Sequence, residues 1–397
     1  MKTFCRIVKN VSVLNLAFYT LIILSVFDQT REALPLPYIV MKFYAYLRDF
    51  LILSLFFHFL MKQKKHIPIN YVFGLTVLLI LLSIPISYLT GNGIGLPVKF
   101  AWLQIKHFLI YYILICYISS KNIDYILRFL LKLGIVFFIF NIIFIIFFSS
   151  ILTRLLSGGL RLTVGNSSTI SFLYFALFLV SINFKLFKNK IIAFLYSLIF
   201  FIAILTTVTT TALVALIPVI LVKYLELPIN RKINFIIIAS IITTIFIINF
   251  TSKAYSEKNF ASYLYEKSGE VIELIFSKNK MNVGTLSIRE YQRKIVQENM
   301  KTEDYFIGLG SGGYQKYCSN LENFYYVLLY DYGILSLIIF VLLLLKYFII
   351  SFINGHYFFV QIIIILASYC YTLDFFLPYI TGFSFVLLLA IGSVKHA

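Results

Sequence analysis

Residues 322 to 340 read ENFYYVLLYDYGILSLIIF, an apolar run that begins directly after a polar segment, residues 251 to 321. A helix of about 20 mostly apolar residues is long enough to cross the hydrocarbon core of a bilayer. Similar runs recur along the chain, of whose 397 residues 61% are hydrophobic and only 13% charged. This composition excludes a soluble globular protein and predicts an all-α, polytopic integral membrane protein.

Twelve transmembrane helices are predicted, because twelve apolar runs fit the bilayer template. They are residues 11 to 27, 37 to 60, 70 to 90, 100 to 120, 132 to 150, 166 to 184, 191 to 207, 210 to 226, 233 to 250, 322 to 345, 357 to 373 and 375 to 393. The break inside residues 191 to 226 is the weakest of these boundaries. The predicted organisation is residues 1 to 250 with helices 1–9, the large loop 251 to 321, and residues 322 to 397 with helices 10–12.

The distribution of Lys and Arg predicts the orientation of the chain, because short cytoplasmic loops are rich in both. One set of connections holds 17 basic residues between Lys2 and Lys395. The short connections on the other side hold only Arg31, Lys99, Arg154 and Arg161. Both termini are therefore predicted to be cytoplasmic, with the large loop on the outer side.

The net charge of +18 follows mainly from this asymmetry. The charge is dispersed over hydrophobic connections and forms no single basic face, so a nucleic-acid partner is not expected. The four cysteines and five histidines are scattered, without the spacing of metal ligands. The sequence predicts neither a metal nor another cofactor.

The large loop contains a predicted amphipathic helix, SIREYQRKIVQENM (residues 287 to 300). Arg289 and Arg293 are four residues apart and share one helix face, away from Ile288 and Ile295. On spacing alone, a solvated polar face explains these arginines as well as a binding surface does.

A glycine-rich stretch, FIGLGSGGY (residues 306 to 314), follows this helix. Gly308, Gly310 and Gly313 match G-x-G-x-x-G, but the strand and helix that a dinucleotide fingerprint requires are not predicted around them. The glycines predict a tight turn with positive φ. Its backbone N–H groups suit close approach of an anion or a sugar, although such glycines more often form a simple turn.

The order of these features resembles the bacterial O-antigen polymerase and O-antigen ligase superfamily. The matching positions are Arg289, Gly308, Gly310, Tyr314, Glu322, Asn323, Gly333 and Ile334. A second similar segment lies upstream in SGGLRLTVGNSSTISFLYF (residues 157 to 175), at Arg161, Gly165 and Asn166. The two segments cover about a quarter of the chain, and the twelve-span topology with one large outer loop agrees across the remainder.

The chain departs from the family pattern at two places. The family's Ser-Arg pair is missing from TTVTTTALVAL (residues 206 to 216), which contains no arginine. The ligase branch has a histidine in the polar pair after the glycine turn, whereas this chain has Glu322 before Asn323. The five histidines all lie outside the large loop, which favours a polymerase over a ligase.

The resemblance implies a metal-independent glycosyltransferase in the bacterial inner membrane, with the large loop in the periplasm. Its donor and acceptor are expected to be undecaprenyl-diphosphate-linked glycans, which it polymerises into O-antigen or a similar surface polysaccharide. Membrane lipid and a chain-length regulator protein are expected as further partners, which places the protein in lipopolysaccharide or related polysaccharide biosynthesis.

Roles for individual residues follow from the chemistry that the resemblance implies. Arginine suits a diphosphate because its planar group donates two hydrogen bonds and stays charged, so Arg161 and Arg289 are the expected clamp and Arg293 a helper. Glu322 is the candidate general base, although a favourable charge at a helix N-terminus is the competing explanation. The remaining candidate substrate-binding residues are Asn166, Gly308, Gly310, Tyr314, Asn323, Tyr326, Lys106 and His107.

Ionisable residues inside predicted spans are functional candidates by default. Arg48 and Asp49 are adjacent, so partners on other helices are expected, and a structural pair explains them as well as a substrate role. Asp331 is a further candidate. Two alternative functions remain: an O-antigen ligase, and a lipid-linked oligosaccharide flippase, against which the single large loop and the lack of an internal repeat both count.

Overall fold

A computed structural model of the protein describes residues 13–28, 37–62, 71–91, 95–119, 123–152, 167–207, 209–226, 284–318, 321–371 and 379–396. Over these ranges the regular structure is entirely helical, which confirms the predicted all-α class there. The α-helices are α1 (Val13–Val26), α2 (Tyr38–Lys62), α3 (Tyr71–Leu89), α4 (Gly95–Ser119), α5 (Ile123–Leu152), α6 (Ser167–Asn183), α7 (Lys190–Thr206), α8 (Thr210–Glu226), α9 (Gly284–Asn299), α10 (Thr302–Ile307), α11 (Phe324–Ile353), α12 (Tyr357–Cys370) and α13 (Tyr379–His396). A 3-10 helix, Gly313–Lys316, lies between α10 and α11.

Three stretches within the described ranges are long and apolar enough to cross a membrane: Val98–Ser119, Ile123–Ile145 and Phe324–Ile353. Shorter apolar helices of 10–17 residues accompany them: Val13–Val26, Ser167–Asn183, Lys190–Thr206, Tyr357–Cys370 and Ile380–Ser393. The length and composition of these helices support the prediction of a membrane protein. The count of twelve spans stays a prediction, and the predicted span 233 to 250 lies outside the described residues.

The weak break predicted inside residues 191 to 226 is present, since α7 ends at Thr206 and α8 begins at Thr210. The hydroxyl of Thr206 donates to the carbonyl of Ala203 at 2.8 Å, and that of Thr207 to the carbonyl of Ile204 at 2.7 Å. These side chains satisfy carbonyls near the end of α7, where backbone donors run out.

Helix α6 is buried along almost its whole length and packs against α7 and α13. Polar contacts join it to α12 near both ends. The hydroxyls of Ser171 and Tyr369 are 2.7 Å apart, and Asn183 donates to Gln361 Oε1 at 2.7 Å. Because the start of α6 meets the end of α12 and its end meets the start of α12, the two helices are antiparallel.

The partner expected for Arg48 on another helix is Asp28, just after α1, and the two side chains form a buried ion pair. The carboxylate of Asp49 accepts a hydrogen bond from Trp102 Nε1 of α4 at 3.1 Å. Arg48 Nε also lies 3.4 Å from Asp49 Oδ1. The two adjacent side chains therefore also contact each other, in addition to their partners on other helices. Arg48 and Asp49 thus connect α2 to its two neighbours, as the structural interpretation expects.

Helix α11 is interrupted at Gly333, where φ is 78° and ψ is 171°. This conformation is essentially restricted to glycine. The span predicted over residues 322 to 345 is therefore broken at Gly333, one of the positions that match the family pattern. The interruption positions α10 and the glycine-rich stretch, which pack against it.

Candidate functional site

The glycine turn, defined here as residues 308 to 314, lies inside the protein. All seven positions are buried. Gly308, Gly310 and Gly312 have φ values of 85°, 82° and 73°. Positive φ was expected of the glycine-rich stretch, because only glycine adopts this region without steric cost.

The turn pairs with the interrupted backbone of α11. A helix break leaves the carbonyls before it without their usual donors. Here the N–H of Leu309 donates to the carbonyl of Tyr330 at 2.7 Å, and that of Gly310 to the carbonyl of Asp331 at 2.9 Å. The turn therefore replaces the helical donors that the break at Gly333 removes.

Asp331 adds a side-chain contact to the same junction. Its carboxylate accepts hydrogen bonds from the N–H of Gly312 at 2.7 Å and from that of Tyr314 at 3.3 Å. The carboxylate is buried, and bonds of this kind between a charged acceptor and backbone donors are among the stronger ones in proteins. Asp331 thus has a structural role in closing the turn, whereas its position alone made it a functional candidate.

The turn contacts its neighbours too closely for any side chain to replace hydrogen at Gly308, Gly310 or Gly312. A Cβ atom on Gly308 would lie 2.4 Å from the carbonyl oxygen of Asp331, and one on Gly310 would lie 2.3 Å from Ser87 Cβ of α3. On Gly312 it would lie 2.5 Å from the Phe100 ring of α4. The glycines thus permit close packing of the turn between α3, α4 and α11.

These contacts correct part of the sequence interpretation. The N–H groups of the turn named above donate to protein acceptors and do not face an open anion or sugar site near Gly308 and Gly310. Tyr314 is 0% exposed, and its ring meets Phe100 edge-on at a centroid distance of 6.3 Å. Because both faces of that ring are covered, Tyr314 has no surface on which a sugar could stack.

A more open polar group lies where side chains of α9 contact the start of α11. Arg293 of α9 donates to the hydroxyl of Tyr326 at 3.0 Å and to Glu290 Oε1 at 2.7 Å. Its guanidinium carbon is 5.6 Å from the centroid of the Tyr326 ring. The hydrogen bond to Tyr326, and to a smaller extent the charge of Glu290, raise the pKa of Arg293 above its ordinary value, so this side chain remains cationic.

Tyr330 lies one helical turn after Tyr326, and the two rings stack at a centroid distance of 5.8 Å. Tyr305 of α10 meets Tyr330 edge-on at 6.4 Å. We name Arg293, Tyr305, Tyr326 and Tyr330 the arginine–tyrosine cluster. It joins α9, α10 and α11 with three aromatic rings and one cation.

Two buried polar atoms of this cluster, Arg293 Nε and the Tyr330 hydroxyl oxygen, make no hydrogen bond within the described part of the chain. Tyr330 as a whole is 0% exposed. A buried donor without a partner costs about 1–3 kcal/mol, so such atoms usually mark a place where a ligand or water binds. Arg293 Nε is an N–H donor and the Tyr330 hydroxyl can donate or accept, so both suit the acceptor oxygens of a ligand that enters the cluster.

Glu322 and Asn323 lie at the start of α11, as predicted. Asn323 is the N-cap, because its Oδ1 accepts a hydrogen bond from the N–H of Tyr326 at 3.3 Å. The N–H of Glu322 donates to Oε1 of Gln292, the residue preceding Arg293, at 3.3 Å. The backbone of Glu322 is therefore fixed to the helix that carries the arginine, while the Asn323 side-chain oxygen is used in capping.

Lys106 and His107 are buried in α4, further along the helix than Phe100 and Gln104. The His107 ring lies against α13, where a Cβ on Gly382 would be 2.4 Å from its Nε2. Gln104 accepts a hydrogen bond from Tyr332 of α11 at 2.7 Å, so α4 contacts α11 and α13 through different side chains. The structure gives Lys106 and His107 a buried, interhelical setting.

The other predicted site residues divide into two groups. Arg289 lies in α9, four residues before Arg293. Arg161 and Asn166 lie outside the described residues. Within the described ranges, no group of three or more His, Cys, Asp or Glu side chains is arranged to hold a metal ion.

Comparison with known proteins identifies no family. The chain matches no protein-family model and no curated protein sequence.

Sequence reasoning missed Tyr330 as a member of the site. A signal for it existed, because Tyr326 and Tyr330 are four residues apart and so share one face of α11. The role of Asp331 had no such local signal, since its partners, Gly312 and Tyr314, lie 19 and 17 residues earlier in the chain.

Proposed function

We propose that this protein is a membrane glycosyltransferase that polymerises polyprenyl-diphosphate-linked oligosaccharide repeat units into a surface polysaccharide. The resemblance of its motifs to the O-antigen polymerases suggests the reaction. The observation that carries the proposal is the arginine–tyrosine cluster, where Arg293 Nε and the Tyr330 hydroxyl have no hydrogen-bond partner among the described residues, beside the start of an apolar span.

The charge of this cluster suits the leaving group of such a reaction. A diphosphate carries at least two negative charges as it departs, and a permanently cationic guanidinium with a free N–H stabilises that charge. Glu290 and Tyr326 hold the two terminal nitrogens of Arg293, which leaves Nε for the ligand. Arg289, one turn earlier in α9, and Arg161 are proposed to complete the clamp.

The acceptor must lose a proton as it attacks. In the proposed step, its hydroxyl oxygen attacks the anomeric carbon of the donor, and the bond from that carbon to the diphosphate oxygen breaks. The electron pair leaves with the diphosphate, and the hydroxyl proton passes to a base. Glu322 is the proposed base, because its backbone is fixed to Gln292 beside Arg293.

Contacts between helix ends support the predicted alternation of helix direction. Asn15 at the start of α1 accepts a hydrogen bond from Tyr117 at the end of α4, at 2.9 Å. Asn183 at the end of α6 accepts one from Lys223 near the end of α8, at 3.1 Å. In the predicted topology both pairs belong to the cytoplasmic side, and the proposed active site belongs to the periplasmic side with the start of α11.

Complementation of a strain that lacks this gene tests the proposal. The strain receives wild-type protein, Arg293→Ala, Arg289→Ala or the control Lys294→Ala, which removes an exposed charge from the same helix. The surface polysaccharide is then separated on a gel, and membrane abundance of each variant is measured in parallel. For a polymerase, loss of function replaces the ladder of chain lengths with a single repeat unit.

The expected result is a ladder with wild-type protein and Lys294→Ala, and a strong reduction of the ladder with Arg293→Ala or Arg289→Ala. A normal ladder with both arginine variants at normal abundance would remove the proposed role of α9. Loss of all glycan attached to the lipid acceptor, without loss of polymer, would identify a ligase instead.

A further inference from the structure

The glycine turn and α10 lie beside the interior of an apolar helix and not at its end. The carbonyl oxygen of Phe306 would lie 2.2 Å from a Cβ atom on Gly333, so the end of α10 and the break in α11 are in direct contact. Gly333 lies ten residues after the N-cap Asn323. At 1.5 Å per residue, this contact is about 15 Å along the helix from its start.

The depth of this contact can be estimated from the other end of α11. Exposed Lys346 lies thirteen residues beyond Gly333, which is about 20 Å along a helix. In the predicted topology Lys346 directly follows the span 322 to 345, and a lysine there extends to the membrane surface while α11 continues to Ile353. If the hydrocarbon core is about 30 Å thick and Lys346 marks one boundary, Gly333 lies roughly 10 Å inside the other.

The surface of α11 at this depth is open. Only 11% of the most apolar stretch in Phe324–Ile353 is buried by the rest of the protein. Leu335, two residues after the break, is 64% exposed. The hydrocarbon core of a bilayer contains no water, so an exposed apolar surface of a membrane-spanning helix contacts the acyl chains of lipids.

The exposed side chains of α10 change from charged to apolar along its six residues. Glu303 in its first turn is exposed to the surroundings, as is Lys301 just before it. At its end Phe306 is 67% exposed and Ile307 is 58% exposed. The polar end thus belongs to water or lipid headgroups, and the apolar end continues the open surface of α11.

The chain returns to polar surroundings after the turn. The 3-10 helix ends at Lys316, which is exposed and lies 5.6 Å from the centroid of the Tyr317 ring. Non-helical backbone is tolerated at membrane depth only where protein satisfies its polar groups. The N–H groups of Leu309, Gly310, Gly312 and Tyr314 are satisfied by α11 in this way.

From these observations we propose that residues 302 to 316 form a re-entrant segment that enters one leaflet of the bilayer and leaves it on the same side. Phe306 and Ile307 contact the acyl chains of membrane lipids, next to Leu335 of α11. The proposal concerns the lipid surface of the protein and does not depend on its proposed enzymatic reaction.

Spin labels at single cysteines in the full-length protein, reconstituted in phosphatidylcholine and phosphatidylglycerol vesicles, test this placement. The four native cysteines are replaced first, and labels are attached after Phe306→Cys, Ile307→Cys or the exposed control Tyr291→Cys on α9. Electron paramagnetic resonance then compares relaxation by oxygen, which concentrates among acyl chains, with relaxation by a water-soluble nickel chelate.

We expect oxygen to relax the labels at 306 and 307 several-fold more strongly than the nickel chelate does, with the reverse order at 291. Stronger relaxation by the chelate at 306 and 307 would place the segment in water and overturn the proposal. Weak relaxation by both reagents would overturn it too, because it would mean that another protein copy covers these residues.

A second measurement guards against disturbance by the cysteine replacements. Phe306→Trp and Tyr291→Trp are prepared with the native cysteines in place, and the fluorescence of Trp102, the one native tryptophan, is subtracted using wild-type protein. Lipids brominated on their acyl chains should quench the tryptophan at 306 and leave that at 291 nearly unchanged. Equal quenching at the two positions would contradict the re-entrant placement.

Discussion

The glycine turn and the arginine–tyrosine cluster both lie against α11, but they differ in whether their polar groups have hydrogen-bond partners. In the turn, the N–H groups of Leu309, Gly310 and Gly312 each donate to α11. In the cluster, Arg293 Nε and the Tyr330 hydroxyl are buried and have no hydrogen-bond partner in the ranges that the structure describes. A satisfied set of donors builds structure, whereas unsatisfied buried donors indicate where a ligand is expected.

The difference shows why a motif and a site need not coincide. The glycine pattern attracts attention as a ligand loop, but its main contacts are with protein. Arg293 and Tyr330 belong to no distinctive sequence motif, although theirs are the polar atoms that could bind a ligand. Substitutions on each side of this comparison should therefore act on different quantities: stability for the turn, and activity for the cluster.

The largest effect is expected from Gly333→Ala. Positive φ at a residue with a side chain costs about 1–3 kcal/mol. In addition, the new Cβ atom would lie 2.2 Å from the carbonyl oxygen of Phe306, and only movement of the backbone relieves this clash. We expect destabilisation by about 3 kcal/mol or more, with severe loss of protein from the membrane. Membrane abundance and the thermal midpoint of the protein purified in detergent measure the effect.

Gly355→Ala is the matched control for this change. Gly355 also has positive φ, at 69°, but a Cβ there would meet nothing within 4 Å. Its destabilisation should be limited to backbone strain, about 1–2 kcal/mol. Equal losses at Gly333 and Gly355 would mean that the contact between α10 and the break contributes little to stability.

The second largest effect is expected from Asp331→Asn. An amide keeps one acceptor oxygen but replaces the other with a donor, so one of the N–H groups of Gly312 and Tyr314 loses its partner. Hydrogen bonds to charged groups contribute about 1.5–3 kcal/mol, and we expect a loss of about 2 kcal/mol, seen as a lower thermal midpoint.

Asp304→Asn provides the comparison for Asp331. The carboxylate of Asp304 also accepts a backbone hydrogen bond, from the N–H of Lys301 at 2.8 Å, but at an exposed helix end. Its replacement should cost about 1 kcal/mol or less, as is typical of capping side chains. If Asp304→Asn proved the more harmful change, the buried carboxylate of Asp331 would not be the support of the turn.

These substitutions also separate what the sequence predicts from what it does not. The apolar helices and the beginning of α11 near Glu322 and Asn323 follow from local patterns, because hydrophobic composition can be read within a short stretch of sequence. The packing of the turn does not. For example, the hydroxyl of Thr90, the residue after α3, donates to the carbonyl of Leu309 at 3.1 Å, and the two residues are 219 positions apart in the sequence.

The site was predicted in part for the same reason. Arg293 and Tyr326 could be proposed from helix spacing and from the family resemblance. Their contact at 3.0 Å depends on how α9 crosses α11, and helix spacing carries no information about a crossing. The burial of Tyr314 likewise depends on Phe100 of α4, which no pattern near residue 314 indicates.

A smaller effect is expected from Tyr330→Phe, which removes only the unpartnered hydroxyl. Stability should stay equal or rise slightly, because a buried polar atom without a partner disappears. Polymer formation should fall about 10-fold, the usual effect of one lost hydrogen bond of about 1.4 kcal/mol to a charged ligand. Incorporation of repeat units by membranes of the complemented strain measures activity, and the thermal midpoint measures stability.

Tyr369→Phe is the matched control, because Tyr369 is equally buried but its hydroxyl has a partner, Ser171, at 2.7 Å. This change should lower stability by about 1 kcal/mol and leave activity nearly intact. The two tyrosines thus predict opposite patterns. A loss of stability without loss of activity in Tyr330→Phe would show that its hydroxyl has a structural role after all.

The smallest effect is expected from Glu290→Gln, which weakens the ion pair on Arg293 and keeps the length of the side chain. Exposed pairs spaced three residues apart on a helix contribute about 0.3–0.5 kcal/mol, and Glu290 is well exposed to solvent. Because Tyr326 still binds the other terminal nitrogen, Arg293 should stay in place, with activity changed by no more than about two-fold. A loss as large as that of Tyr330→Phe would mean that Glu290 acts on the ligand as well as on the arginine. Measuring activity at low and high salt separates these cases, since screening weakens an exposed ion pair and has less effect on a buried contact.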